Sequence, residues 1–439
     1  MTGERRILMY SQDGFGLGHF RRATNIAREI LAREPESRIL ILADSPAPPF
    51  LAVAGVDYVK LPTVVKAGSS TWHAGSLGIQ IRDAIDLRAQ AILAIYRAFR
   101  PEVVLVDHMP VGALGELKPT LDCAINSAAR PRLFLGLRDV LDAPEVIRSH
   151  WWDLGAYDYL SYYDAVLVYG CREIYDAESA YGLSSHSRSV VYCNYVSRRS
   201  RAGMAHERRG REAPFVLMMG GGGHDAFPLA RAFVRAFASV LSDVPLRAVV
   251  VTGPNMPARE HEAVARKATS QIRVERSLGD SAAWIGRASA VVTMGGYNSL
   301  CEVLARQKKT LVVPRSGPSL EQRIRSGLFA DRGLLRMLEL CDASPKRLAR
   351  DLSRLLAATG LPDPANIPPM DGAGRAAAMI LGEELVDSAP VAGESLSRGE
   401  TRPRSLAPVA AASAPPAAGQ VALHVSGRHS RSALGSAGS

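Results

Sequence analysis

Cysteine is scarce in this chain. There are five in 439 residues, an odd number, and none is paired in a C-x-x-C spacing. That argues against a disulfide framework and a cysteine-based zinc site, and it fits a reducing compartment. Long apolar runs are missing too, since none approaches the ~20 residues that a membrane helix needs. The first residues, Met1-Thr2-Gly3-Glu4-Arg5-Arg6, lead straight into a strand with no signal-peptide apolar region. The expected compartment is therefore the cytoplasm. No D-x-D triplet occurs anywhere. The formal net charge of +10 favours an anionic partner: a nucleotide, nucleic acid or an anionic membrane surface. With no zinc finger, no RNP motif and no aromatic-interleaved basic stripe, nucleic acid is the weaker choice and no nucleic-acid partner is expected.

What is present is alternation. Apolar runs at 7–10, 39–43, 58–61, 103–106, 132–137, 165–169 and 189–193 read as strands. Amphipathic stretches lie between them, among them 17–32 and 77–99. Residues 62–75 have turn composition and read as a loop. A second series follows, with strands near 215–219, 246–252, 272–275, 290–293, 310–313 and 334–338. This predicts an α/β fold of two doubly wound, Rossmann-like domains facing a cleft. The expected division is 1–196, a basic linker 197–213, a second domain 214–385, and an Ala/Pro/Ser-rich tail 386–439. The tail is too poor in apolar surface to offset its ordering entropy.

Each half places glycine-rich turns directly after strands. Gly14-Phe15-Gly16-Leu17-Gly18-His19 follows the first strand. Gly220-Gly221-Gly222-Gly223-His224-Asp225 follows 215–219. Gly295-Gly296 follows 290–293 and opens a helix carrying Asn298, Ser299 and Glu302. Glycine lets the backbone approach an anion, and a helix N-terminus supplies N–H groups and a favourable dipole. Asn298 or Ser299 reads equally as an N-cap, and Glu302 as its capping-box partner.

Gly16-Leu17-Gly18-His19-Phe20-Arg21-Arg22-Ala23 and Gly295-Gly296-Tyr297-Asn298-Ser299-Leu300-Cys301-Glu302 together resemble the GT-B glycosyltransferases, in the MurG-like branch with a family 28 type C-terminal domain. The resemblance covers roughly residues 5 to 385. It implies that the second domain binds a nucleotide-sugar donor, of the UDP-sugar class, as substrate. Glu302 would hold the ribose, and Gly295, Gly296, Asn298 and Ser299 would form the diphosphate-facing turn. Gly220, Gly221 and Gly222 would lie beneath the diphosphate. Leu278 would sit where backbone groups read the base, and Glu321 and Gln322 would contact sugar hydroxyls. Tyr297-Asn298, and Arg315 after Pro314, depart from the peptidoglycan enzyme. With no D-x-D, the leaving diphosphate falls to N–H groups, helix dipoles and Arg315, and no metal or other cofactor is expected.

The acceptor hydroxyl needs a base. His19 ends the first Gly turn, in an acceptor-side loop with Gly16, Gly18 and Arg21, and its reference pKa is near neutral. Asp107, at a strand end, would orient it, with His108 as substitute and Glu116 as a further acidic candidate. Trp151-Trp152 read first as core and second as an acceptor wall. Arg82, Arg88, Arg97 and Arg100 in or near the long helix read first as a solvated face and second as a peripheral contact with anionic lipid.

Three rivals remain at this point. G-x-G-x-G after the first strand is superficially that of an NAD(P)-dependent dehydrogenase, but the spacing is not G-x-G-x-x-G. A nucleotide-sugar hydrolase or epimerase could use the same scaffold. A non-catalytic nucleotide-sugar-binding protein could keep the pocket alone.

Overall fold

The computed structural model describes residues 4–12, 18–44, 53–66, 72–75, 77–198, 214–240, 246–317 and 319–385. Gly14 and Gly16, most of the expected linker (199–213) and the expected tail lie outside these residues.

The first half contains β1 (Arg6–Ser11), β2 (Arg38–Ala43), β3 (Val56–Lys60), β4 (Val64–Lys66), β5 (Trp72–Ala74), β6 (Val103–Asp107), β7 (Arg132–Arg138), β8 (Ala165–Tyr169) and β9 (Val190–Tyr192). Seven of them form one sheet in the order β3-β2-β1-β6-β7-β8-β9, with every pairing parallel. β4 and β5 form a separate antiparallel pair, where the sequence reading placed a loop. Strands of three residues carry too little periodicity to stand out from turn composition.

Along β1 the period of two divides the side chains between two cores. Ile7 and Met9 join one, Leu8 and Tyr10 the other. The helix Gly18–Arg33 covers the first face with Ala23, Ile26, Ala27 and Ile30. Each fully buried isoleucine there contributes about 1.5–3 kcal/mol.

The second half contains β10 (Phe215–Met219), β11 (Arg247–Val251), β12 (Ile272–Glu275), β13 (Ala290–Thr293), β14 (Thr310–Val312) and β15 (Arg336–Met337). They form a parallel sheet in the order β12-β11-β10-β13-β14-β15. Two doubly wound sheets are thus observed, as the alternation predicts.

The chain then crosses back. The helix Gly372–Leu381 packs on Gly18–Arg33 in the first half. Arg5 and Arg132 of the first half donate to its last carbonyls, those of Leu381 and Ile380, at 2.9 and 3.1 Å. A Cβ at Gly372 would meet the Asn194 carbonyl at 2.4 Å, so only glycine allows this approach.

The order of each sheet reverses at one strand. β1 lies between β2 and β6, and β10 lies between β11 and β13. Loops leaving the carboxyl ends of such strands part to opposite faces and open a crevice. His19 and Asp107 belong to the first crevice. Gly220–Gly223 and Gly295-Gly296 belong to the second.

Candidate active site

A cavity of about 970 Å³ lies where the two crevices meet. From the first half it is lined by Gly18, His19, Arg21 and Arg22, and from the second by Gly220–Gly223, Gly296, Asn298, Ser299 and Glu302.

His19 stands in the first turn of Gly18–Arg33 and turns Nδ1 to Asp107 Oδ2 at 2.8 Å. Asp107 ends β6, is buried, and sits behind the cavity wall. The same carboxylate takes a fork of bonds from Arg22: Nε at 3.2 Å and one terminal nitrogen at 2.9 and 2.6 Å. Burial works to raise the Asp107 pKa, but Arg22 and then His19 outweigh it and hold the carboxyl below its ordinary value. His108 follows with a positive φ of 78°, and its ring centroid lies 4.6 Å from that of His19.

The second half supplies turns whose glycines have distinct causes. A Cβ at Gly220 or Gly223 would come within 2.6 or 2.7 Å of the Thr252 carbonyl, and Gly223 has φ +96°. The loop therefore lies with its backbone directly against the loop after β11. Gly295 has φ +80° and would press on Ser326 and Val312, so it shapes the turn from beneath. Gly296, not Asn298 or Ser299, is the N-cap of the helix Tyr297–Ala305, whose first turn holds no acid. Its first turn lines the cavity through Gly296, Asn298 and Ser299 and brings no carboxylate of its own to the helix N-terminus.

Asn298 does something else. Its amide donates to the carbonyl of Gly18 at 3.0 Å, tying the two halves together. Glu302 is buried and accepts from Arg21 at 3.3 Å and from Ser281 at 3.2 Å. That is a cross-domain contact and not a capping box.

Arg315 donates to Asp225 at 3.3 Å, and its own backbone N–H donates to the Gln322 side chain at 3.2 Å. Leu278 lines the cavity. Glu321 lines it as well, but Arg138 and Arg325 already hold its Oε1 at 2.6 and 2.7 Å. Burial opposes ionisation of Glu321, yet Arg138 and Arg325 bring its pKa down to about 2.

Some sequence expectations fail here. Glu116 is not a cleft base: it is buried, accepts from Tyr10 at 2.7 Å, and pairs with Arg88 at 2.9 Å. Arg88 is equally buried and so is no part of a basic outer face, whereas Arg82, Arg97 and Arg100 are exposed. The tryptophans separate. Trp151 is buried and reaches the cavity, while Trp152 is 75% exposed.

Sequence reasoning passed over Arg22, Arg138 and Ser281. The signal for Arg138 was a charged pair, Arg138-Asp139, ending an apolar strand. For Arg22 it was the i, i+3 spacing from His19, which puts both on one helix face.

Residues 216–362 match the glycosyltransferase family 28 C-terminal domain. No curated protein matches the chain in sequence. Among solved structures, the glycotransferase of kitacinnamycin superposes with a TM-score of 0.59 at 18% identity, over 86% of this chain and 98% of that one. MurG of Acinetobacter baumannii gives 0.50 at 14%, over 85% and 94%. A putative UDP-N-acetylglucosamine 2-epimerase from Listeria monocytogenes gives 0.58 at 11%, over 89% and 100%. At these identities the likeness establishes the fold, GT-B.

Proposed function

We propose, from the premise that the chain is a GT-B glycosyltransferase with a family 28 C-terminal domain, that it moves a sugar from a nucleoside-diphosphate sugar, of the UDP class, to an acceptor hydroxyl without a metal. The observation that carries this is one cavity with a histidine on one wall, backed by a buried aspartate, and two glycine turns with a helix N-terminus on the other.

The chemistry follows from the geometry. With Nδ1 turned to Asp107, His19 takes the acceptor proton on Nε2 as the hydroxyl oxygen attacks the anomeric carbon. The bond to the diphosphate breaks, and its electron pair goes to the leaving oxygen. Backbone N–H groups of 220–223 and 296–299 and the Arg315 guanidinium receive that charge. Glu302 accepts from the ribose hydroxyls in this reading, once these displace Arg21 or Ser281.

The first half also supplies an apolar wall of Val65, Trp72, Met109, Leu141, Ile147 and Trp151. This supports an acceptor with an apolar body that presents one hydroxyl. Among the described residues no helix is long and apolar enough to cross a membrane. Leu77, Ile79 and Leu87 are exposed at and before the helix that carries Arg82 and Arg97. The exposed apolar and basic residues support peripheral contact with anionic lipid; a cytoplasmic location and no nucleic-acid partner belong to the same proposal.

The test is a transfer assay over a nucleotide-sugar panel with apolar and carbohydrate acceptors, each with and without EDTA. Glycoside formed only with an apolar acceptor, and unaffected by EDTA, is the expected result. Free sugar or an isomer without acceptor would favour the hydrolase or epimerase instead. Loss on chelation, restored by magnesium, would overturn the metal-free assignment.

A further inference from the structure

Arg22 holds an unusual place. It is one of the largest fully buried side chains in the molecule, 1% exposed, and a buried guanidinium is costly unless paired. Its partner is Asp107, the carboxylate that also faces His19. One of its terminal nitrogens lies only 2.7 Å from His19 Nδ1 itself. The guanidinium carbon lies 5.3 Å from the ring centroid of Tyr169 on β8 and 5.5 Å from that of Tyr297, which opens the donor-side helix. A cation is thus wedged against the histidine–aspartate pair and held from both halves of the molecule.

We propose that Arg22 is a positioning residue that sets the charge state of the base: it takes up the Asp107 charge, so that the carboxylate orients His19 without holding it as a permanent imidazolium. An aspartate facing a histidine alone favours the protonated ring, and a protonated ring cannot accept a proton. Here an imidazolium and the guanidinium would be like charges with nitrogens 2.7 Å apart, whereas the neutral ring carries no such repulsion.

The other groups around the pair do not replace this. His108, in the loop after β6, lies beside His19 with the two rings tilted by 40°. Arg138, at the end of β7, also acts on both Asp107 and Arg22, but its bond goes to Glu321. Arg21, on the same helix, is engaged with Glu302. Tyr169 and Tyr297 are held neutral by burial. Arg22 is the cation bonded to the carboxylate that His19 uses.

The inference rests on His19 being the base, but its test does not need turnover. Histidine side-chain NMR of the full chain, with the His19 signal assigned by its loss in H19Q, gives the titration midpoint directly. R22M should raise that midpoint by about one unit or more, since an unshared carboxylate at this distance shifts a neighbour by roughly that much. R22K, which keeps the charge, should stay within about half a unit of the unmodified protein, a result that simple loss of packing would not give.

A midpoint in R22M equal to that of the unmodified protein would overturn the proposal. If R22M does not fold, D107N is compared with R22M/D107N, which carries no buried charge at either position. The double variant should titrate higher, and equality would again overturn the idea. Absence of any transfer activity in the unmodified protein would refute the enzymatic reading while leaving these midpoints to be read on their own terms.

Discussion

The hydroxyl of Tyr297, in the second half, donates to the backbone carbonyl of Tyr169, in the first, at 3.0 Å. The same oxygen accepts from the Val196 N–H at 2.9 Å. The helix that faces the expected diphosphate is thereby anchored to the sheet that carries the expected base. Both walls of the cavity answer to one buried phenol, at a position where the sequence departs from the peptidoglycan enzyme.

Tyr297→Phe should show what that anchor contributes. It leaves a buried N–H and a buried carbonyl without this partner, and an unsatisfied buried group costs about 1–3 kcal/mol. The melting temperature should fall, and the donor should then restore part of the loss by mass action. Thermal denaturation with and without nucleoside diphosphate is the measurement. An unchanged melting temperature would show that the tie is not stabilising.

Glu302→Ala should weaken nucleoside-diphosphate binding by about 1.5–3 kcal/mol, the range for a lost hydrogen bond to a charged group. The apo contacts with Arg21 and Ser281 complicate a simple count, because the alanine variant also frees those groups. Titration calorimetry with a nucleoside diphosphate and with its 2′-deoxy form resolves this. The unmodified protein should discriminate between the two ligands and the variant should not. Equal discrimination in both would place the ribose elsewhere.

Much of this architecture was legible because its signals are local. A β-branched run followed by two glycines marks strand and turn within ten residues, and β13 with Gly295-Gly296 is such a case. The ionic networks were not legible, because their partners lie far apart in sequence. Arg325 meets Asp139 186 residues away, and Arg22 meets Asp107 85 residues away. Composition makes Arg88 look like part of a solvated face. Only the fold shows it buried beside Glu116, 28 residues on. The sequence reading carries the second domain on to 385, and nothing local says that the helix Gly372–Leu381 returns to the first half.

His19→Ala should depress kcat by roughly 10²–10⁴-fold, the usual contribution of a general base. Donor affinity is set on the opposite wall and should stay within about threefold. Asp107→Asn should also depress kcat and should lower the melting temperature, since it removes the orienting carboxylate and leaves the buried Arg22 guanidinium without its partner. Turnover, donor affinity and melting temperature are measured on one preparation. Collapse of all three together would mean that His19 only closes a turn.

The acid limb of stability should belong in large part to Glu321. Burial alone would raise its pKa, but Arg138 and Arg325 lower it from 4.5 to about 2 in the folded chain. The unfolded chain therefore takes up a proton at higher pH than the folded one. Between about pH 4.5 and 2 the unfolded state binds more protons, so stability falls as pH falls through that window. Above it the contribution is fully present. Asp107 is lowered as well and acts in the same direction. Glu321→Gln removes the proton linkage, and it also leaves Arg138 without this carboxylate and Arg325 with Asp139 alone. Breaking a buried pair from one side costs about 3–5 kcal/mol. The variant should therefore melt lower at neutral pH, yet lose less per pH unit on acidification. Melting temperature recorded from pH 7 down to pH 3 for both proteins decides it. Parallel acid slopes would assign the linkage to other carboxylates and leave Glu321 as a packing element of the domain contact.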